Sequence, residues 1–485
     1  LQRPANLIIF VGESHNRALV AASGHPQIHT PALDSLARRG AQFSNSYCNS
    51  PICVPARATI ATGLYPHQHK YWENSIALDG RTPTWMKDLR DQGYHVAGIG
   101  KFHFRNGDDD NGFSEEILPM HLAEGVGELL GLLRSENAEP IRKGLWDLYT
   151  KRCGPGDETS YQAYDKLITQ RSIEWMRTHA NDEQPWALCI HYVSAHAPYT
   201  VPDDLLELYP LDKIELPRTF SKQGRPNHEA IEHLRTILGH EEDIDEDLVK
   251  LLTASYFAAI TYLDREVGHV LDYLDAAEVT DKTRVVYTAD HGYSTGNHFI
   301  MGLFNMYEHS LGVPLIMAGP DIPKGKTIRQ LTSHVDLFPS IMDSFGVSTR
   351  SGLPGTSLWP ALQGNEDLDR PVFAEYHALG SKAASYMYRE KDQKLVHHVG
   401  MPPQLFDLAA DPEEERDLGG DPASADVLQR LESGLAAVVS PDTTDAEAKE
   451  AQRARIRELG GAEAIIARRG GFIYSPPPGK DWKKF

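Results

Sequence analysis

The chain is short of cysteine, of long apolar runs and of positive charge. Only Cys48, Cys53, Cys153 and Cys189 occur in 485 residues. Their spacing suggests neither a disulfide framework nor a paired zinc site, and so few thiols favour a reducing compartment. No apolar stretch approaches the roughly 18 residues that span a bilayer, so no membrane partner is expected. Lys and Arg number 48 against 68 Asp and Glu, a formal charge of −20. That balance argues against a nucleic acid or an anionic membrane as partner. An anionic substrate would need a local positive pocket working against the global field. No internal repeat and no signal peptide is visible, and the chain opens at Leu1 without Met. A cytoplasmic location is therefore expected, or a periplasmic one if an upstream segment has been removed.

What is present is an alternation of strands and helices. "NLIIFV" (Asn6–Val11) is a continuous apolar run, as a strand buried on both faces requires. "TPALDSLARRG" follows as a helix, with Thr30 as N-cap, Pro31 in the first turn and Gly40 as the stop. "PTWMKDLRDQG", Leu248–Ala277 and "SHVDLFPSIMDSFG" read as helices, and "YHVAGIG", "PWALCIHYV", "TRVVYTAD" and "PLIMAG" as strands. This order predicts an α/β fold with a mostly parallel sheet flanked by helices. Near Arg370 the pattern changes to short, closely spaced strands, "PVFAEYH", "SYMYRE" and "KLVHHV", then the amphipathic helix "ADVLQRLESGLAAVV". The expected division is a catalytic domain over 1–369 and a smaller C-terminal α+β subdomain with its tail over 370–485. Phe104–Asp157 and the acidic "GHEEDIDED" look like insertions.

In parallel sheets ligands bind beyond the carboxyl ends of the strands. Those positions hold Glu13, Ser14 and His15, then Lys101 and His103, then His196, then Asp290 and His291. Each alone could be a loop or turn residue. Together the fold directs them to one place, which argues for an enzyme. "SPICVPARATIATG" adds Cys53 at the head of a small-residue helix that Gly63 ends, with Arg57 one turn along. A helix N-terminus suits an anion or a nucleophile that meets one. Two readings remain open at this point, a reactive thiolate and a buried thiol with Arg57 facing solvent.

Cys53, Pro55, Arg57, Thr62 and Gly63 match the sulfatase signature C-x-P-x-R-x-x-x-x-T-G at every fixed position. The chain resembles the formylglycine-dependent sulfatases of the alkaline phosphatase superfamily, nearest to the choline sulfatase and phosphonate monoester hydrolase branch. The likeness runs from "NLIIFV" to "LFDLAADPEEERDL". It implies an alkaline-phosphatase-like fold and a Cys53 that a formylglycine-generating enzyme oxidises to formylglycine. It implies hydrolysis of a small sulfate ester, with phosphonate or phosphate ester hydrolysis, or a degenerate binding protein, as the alternatives. By matching position, Arg57 would orient the hydrated aldehyde and Lys101 would hold sulfate oxygen. His103 would be the base for the second hydroxyl, and His196 the acid for the leaving group. Asn74 and His298 would contact substrate. Glu13, Ser14, Asp290, His291 and residue 53 would hold a divalent metal, calcium first, then manganese or magnesium. A homo-oligomer is a further candidate assembly.

Two positions depart from the family pattern. Glu13–Ser14 stands where an Asp pair, or Asp with Gln or Glu, is usual, and a Ser hydroxyl is a poor neutral ligand for a hard cation. Leu303, five residues before Glu308, replaces a sulfate-gripping Lys, with His298 or Asn305 as candidate substitutes. Gly312 also replaces an Arg. The nucleophile motif is intact, so the expectation is an active hydrolase with a divergent pocket.

Overall fold

The apolar run after Ala5 becomes the first strand of the main sheet, and all of its residues are buried. The computed structural model describes residues 4–134, 151–221, 225–240, 244–469 and 475–479. Eight strands form this sheet: β1 (Asn6–Gly12), β2 (Gly40–Phe43), β3 (His95–Lys101), β4 (Glu115–Met120), β5 (Trp186–His191), β6 (Thr283–Ala289), β7 (Leu315–Ala318) and β8 (Lys326–Ile328). Their order is β8-β2-β7-β6-β1-β5-β3-β4. Only β7 runs against its neighbours; the other pairings are parallel.

Helices α1 (Pro31–Arg39), α2 (Cys53–Thr62), α3 (Ser160–His179), α4 (Glu246–Ala276) and α5 (Leu337–Ser344) cover both faces. Strand alternation sorts the β1 side chains between them. Leu7, Ile9 and Val11 pack with Ala58, Ile60, Phe338 and Met342 of α2 and α5. Ile8 and Phe10 pack with Leu33 of α1, Ile168 and Met176 of α3, and Leu263 and Val267 of α4. A strand with two covered faces must be apolar throughout, and each such side chain contributes about 1.5–3 kcal/mol on burial.

Gly40 does more than stop α1. It opens β2, where a Cβ would lie 2.0 Å from the Met317 carbonyl oxygen, so no side chain fits between β2 and β7. The segment from Phe104 is likewise not all insertion, because β4 within it forms an edge of the sheet. Its residues 135–150 lie outside the described residues, as do 241–243 of the acidic stretch and 480–485 of the tail. The described part of the acidic stretch caps α4, Asp245 accepting the Asp247 N–H at 3.0 Å.

After Arg370 a second, antiparallel sheet forms from β9 (Val372–Tyr376), β10 (Ser385–Glu390), β11 (Gln393–His398) and β12 (Gln404–Asp407), paired in chain order. Helix α6 (Ala425–Val438) lays Leu431 and Leu435 on Tyr386, Tyr388 and Leu395 of this sheet. The architecture is thus a helix-flanked, mostly parallel sheet with a smaller antiparallel sheet and helix at the C-terminal end.

Candidate active site

Register brings the strand ends together. Gly12 pairs with Ala289, so Glu13 and Asp290 emerge side by side from β1 and β6. Gly100 pairs with His191 across β3 and β5, which sets Lys101 next to them. Gly100 has φ +105°, and a Cβ there would meet the His191 carbonyl oxygen at 2.1 Å; only glycine allows the strands to close this tightly.

Helix α2 enters this edge head first. Ile52 is extended, and the helix begins at Cys53 and ends at Gly63, whose φ of +68° stops it. The Val54 N–H donates to Asn74 Oδ1 at 3.1 Å, so Asn74 caps the helix one residue from Cys53. Every residue of α2 is buried, Arg57 included, which removes the reading that places Arg57 in solvent.

The Cys53 thiol donates to Glu13 Oε1 at 2.9 Å and lies 3.4 Å from His291 Nε2. Arg57, one turn along, gives Nη2 to Glu13 Oε2 at 2.5 Å and Nε to Asp290 Oδ2 at 3.0 Å. Its Nη1 donates to the Lys101 carbonyl oxygen and stands 3.2 Å from His191 Nδ1. Lys101 Nζ is 2.8 Å from Glu13 Oε2. Asp290 Oδ1 accepts the backbone N–H groups of Ser14, at 3.1 Å, and His291, at 2.9 Å. Ser14 therefore enters through its backbone, held at φ +53° with its carbonyl oxygen accepting from the Tyr256 hydroxyl.

The remaining expected residues divide. His103 is buried, and neither ring nitrogen has a hydrogen-bond partner among the described residues. His196 is half-buried, its Nδ1 against the Ala197 carbonyl oxygen, and its charge couples to Lys101, Glu13 and His291. His298 stacks on Tyr307 with ring centres 3.9 Å apart, and neither of its nitrogens has a hydrogen-bond partner among the described residues. Its other ring neighbour is His309, at 6.4 Å, so the structure sets it beside Tyr307 and His309. Asn305 is used by its own turn, Oδ1 accepting the Tyr307 N–H at 3.0 Å. Leu303 is half-buried against the apolar cluster.

Burial and neighbouring charge set the protonation states. Burial pushes the Glu13 carboxyl up, but Lys101 and Arg57 prevail and hold it well below the ordinary range. Asp290 is raised, by burial and then by the Glu13 charge. The Cys53 thiol is pushed well up by burial and by Glu13, so the unmodified side chain is a thiol rather than a thiolate nucleophile. Burial, then Lys101, drives His103 well below the imidazole range and His196 to about 4. Both rings are neutral at pH 7.

One donor atom each from Glu13, Cys53, Asp290 and His291 lies within 4.8 Å of the others, and all four residues are buried. Two carboxylates and an imidazole suit a divalent cation of the oxygen-seeking class, and an oxygen at position 53 would suit it better than sulfur. The donor set fits the expected metal.

Sequence reasoning did not find His191, which orients Arg57, or His334, whose Nε2 is 2.9 Å from the Ala289 carbonyl oxygen and anchors the end of β6. For His191 the available signal was a histidine closing an otherwise apolar strand, whereas His334 lies in a short helical turn and carried none.

The chain matches the family described as Sulfatase over residues 5–347, and the one described as N-sulphoglucosamine sulphohydrolase, C-terminal, over residues 296–440. It is 31% identical over 436 residues to the choline-sulfatase of Rhizobium meliloti, covering 86% of this chain and 83% of the relative. It is 28% identical over 464 residues to arylsulfatase K of Danio rerio, covering 90% and 83%. Among solved structures, the phosphonate monoester hydrolase of Agrobacterium radiobacter superposes with a TM-score of 0.72 at 22% identity, over 92% of this chain and 96% of that one. That likeness carries the fold, which is alkaline-phosphatase-like. On the family match, the intact nucleophile stretch and the ion cluster around it, this chain belongs to the sulfatase family and is a sulfuric ester hydrolase.

Proposed function

We propose that the protein hydrolyses a small-molecule sulfate monoester through formylglycine made from Cys53 by a formylglycine-generating enzyme. The carrying observation is the position of Cys53 Sγ, which marks where the oxygens of the hydrated aldehyde sit. It is a buried helix head within 2.9 Å of Glu13 and 3.4 Å of His291. An aldehyde in water becomes a geminal diol. One hydroxyl attacks sulfur, its proton passing to Glu13 Oε1, which accepts from the position-53 side chain at 2.9 Å, and the bond from sulfur to the alcohol oxygen breaks. His196 gives the departing alcohol its proton as the imidazolium, the form that an anionic substrate bound beside it favours over the neutral ring of the free site. His103 then takes the proton of the second hydroxyl, the aldehyde re-forms, and the carbon–oxygen bond to sulfate breaks. A buried ring with two unpartnered nitrogens and a neutral state is ready to accept that proton. Two easy displacements replace one hard one.

Arg57 fixes the carboxylates around residue 53, and Lys101, held against Glu13, supplies the cation for the substrate's oxygens. Glu13, Asp290 and His291 would hold the divalent metal, with residue 53, and Ser14 aligns Asp290 through its backbone. The ion would supply Lewis-acid stabilisation of developing negative charge. Its class is calcium, manganese or magnesium, and the His291 imidazole shifts the balance toward manganese. Leu303 brings no charge, so the far side of the substrate is recognised differently from a lysine-bearing pocket.

The test is mass spectrometry of the Cys53 peptide after expression with the maturing enzyme. Conversion lowers its mass by about 18 Da, a thiol and a hydrogen exchanged for an aldehyde oxygen. An unmodified thiol under those conditions overturns the reading. Aryl sulfate turned over faster than aryl phosphonate supports it, and the reverse order establishes the phosphonate alternative. Conversion without turnover of either ester establishes the degenerate binding protein.

A further inference from the structure

We propose that His95, Glu115 and His179 form a second metal site, for an ion of the zinc class, at the end of the main sheet opposite Cys53. His95 opens β3 and Lys101 closes it, so the two sites are about 20 Å apart along one strand. The register creates the cluster. Ala97 pairs with Glu115 across β3 and β4, and Ala97 lies in the core cluster beneath α3. Two-residue alternation turns His95, Ala97 and Glu115 to that same side. Helix α3 ends there with His179, one turn beyond Trp175. One donor atom from each of the three residues lies within 4.8 Å of the others.

The surrounding contacts orient these donors as outer ligands do in metal centres. Trp175 Nε1 donates to Glu115 Oε1 at 2.6 Å and fixes the carboxylate. His179 Nδ1 is 2.9 Å from Asp182 Oδ2, which makes Nε2 the ring nitrogen offered to an ion. The His179 ring stacks on Trp175 at 4.3 Å, and the His95 ring meets His179 edge-on at 4.9 Å. His95 Nε2 stands 3.1 Å from Glu115 Oε1, the contact an ion would replace. All three side chains are partly solvent-exposed, and an open cleft lined by Ser114 and Asp182 reaches His95. Two imidazoles and one carboxylate with an open fourth position suit zinc, and the imidazoles disfavour calcium and magnesium.

The experiment is calorimetric titration with Zn²⁺ of the full chain carrying Asp290→Asn, which removes a donor from the Cys53 cluster. One equivalent is expected, with a rise in melting temperature. Adding His95→Ala or His179→Gln is expected to weaken that equivalent at least tenfold and to cancel the thermal shift. In the unaltered background the same substitutions leave sulfate-ester turnover unchanged, which shows that the fold survives. Equal zinc uptake and equal thermal shift with and without the histidine substitutions overturn the proposal. So does loss of zinc uptake on Asp290→Asn alone.

Discussion

Two buried ion clusters of similar make-up serve different ends. Around Cys53, the carboxylates of Glu13 and Asp290 meet Arg57 and Lys101. Around Glu308, that carboxylate meets Arg17 at 2.7 Å, the Tyr47 hydroxyl at 2.7 Å and Lys394 at 2.8 Å, and Lys394 also reaches Glu414 at 2.7 Å. The second cluster ties the main-sheet side (Arg17, Tyr47, Glu308) to the antiparallel sheet (Lys394 and Arg389), and it closes on itself. The first also encloses groups that its ion pairs leave over: a thiol, and a His103 ring with no hydrogen-bond partner among the described residues. Density of buried charge therefore does not mark the proposed catalytic site. Polar groups left available inside the charged shell do.

This contrast can be broken at either end. Cys53→Ala should lower sulfate-ester turnover by roughly 10⁴-fold or more, as loss of a covalent nucleophile does elsewhere, while its urea midpoint stays near the parent's. Lys394→Met leaves buried Glu414 without its cation and takes one of the cations from Glu308, and should cost about 3–5 kcal/mol in urea unfolding. At a permissive temperature its kcat should remain within a few-fold of the parent's. A large kcat loss there would mean that the Glu308 cluster is catalytic after all. His196→Asn should slow hydrolysis of alkyl sulfates by roughly 10²-fold or more, and less for a nitrophenyl sulfate, whose leaving group needs no proton. Equal losses on both esters would remove the general-acid role.

A last prediction concerns a buried carboxylate outside both clusters. Glu73 lies beside Asn74; Ser75 binds one of its oxygens, the other has no hydrogen-bond partner among the described residues, and burial pushes its carboxyl up to about 8. A folded pKa raised above the unfolded one stabilises fully below the unfolded value near 4.5 and is lost as pH rises to about 8. The parent should therefore lose stability between those limits, by a few kcal/mol at about 1.4 kcal/mol per unit. Glu73→Gln should flatten that slope in urea titrations run across the window.

Much of the fold was legible because its signals are local. Continuous apolar runs marked strands covered on both faces, and Gly63 marked the end of α2. The antiparallel β7 and the short β2 after Gly40 were not legible as such, because strand direction and pairing depend on distant partners. In the site, the residues following four strands were visible one by one, since a parallel sheet gathers its carboxyl ends. Ser14's contribution through its backbone was not visible, because φ and amide direction are set by Asp290 and Tyr256. Nor was the Glu308 cluster, whose members are scattered from Arg17 to Glu414.

By itself the sequence determined the layered α/β class and the family, and it singled out Cys53 as the candidate nucleophile, because each rests on periodicity or fixed spacing along the chain. The tertiary structure decided that Arg57 is buried against Glu13 and Asp290 and that Asn74 caps α2. It also decided that His103 has no hydrogen-bond partner among the described residues and that His95, Glu115 and His179 converge. Those outcomes follow from strand register and helix docking, which bring together residues that no local pattern relates.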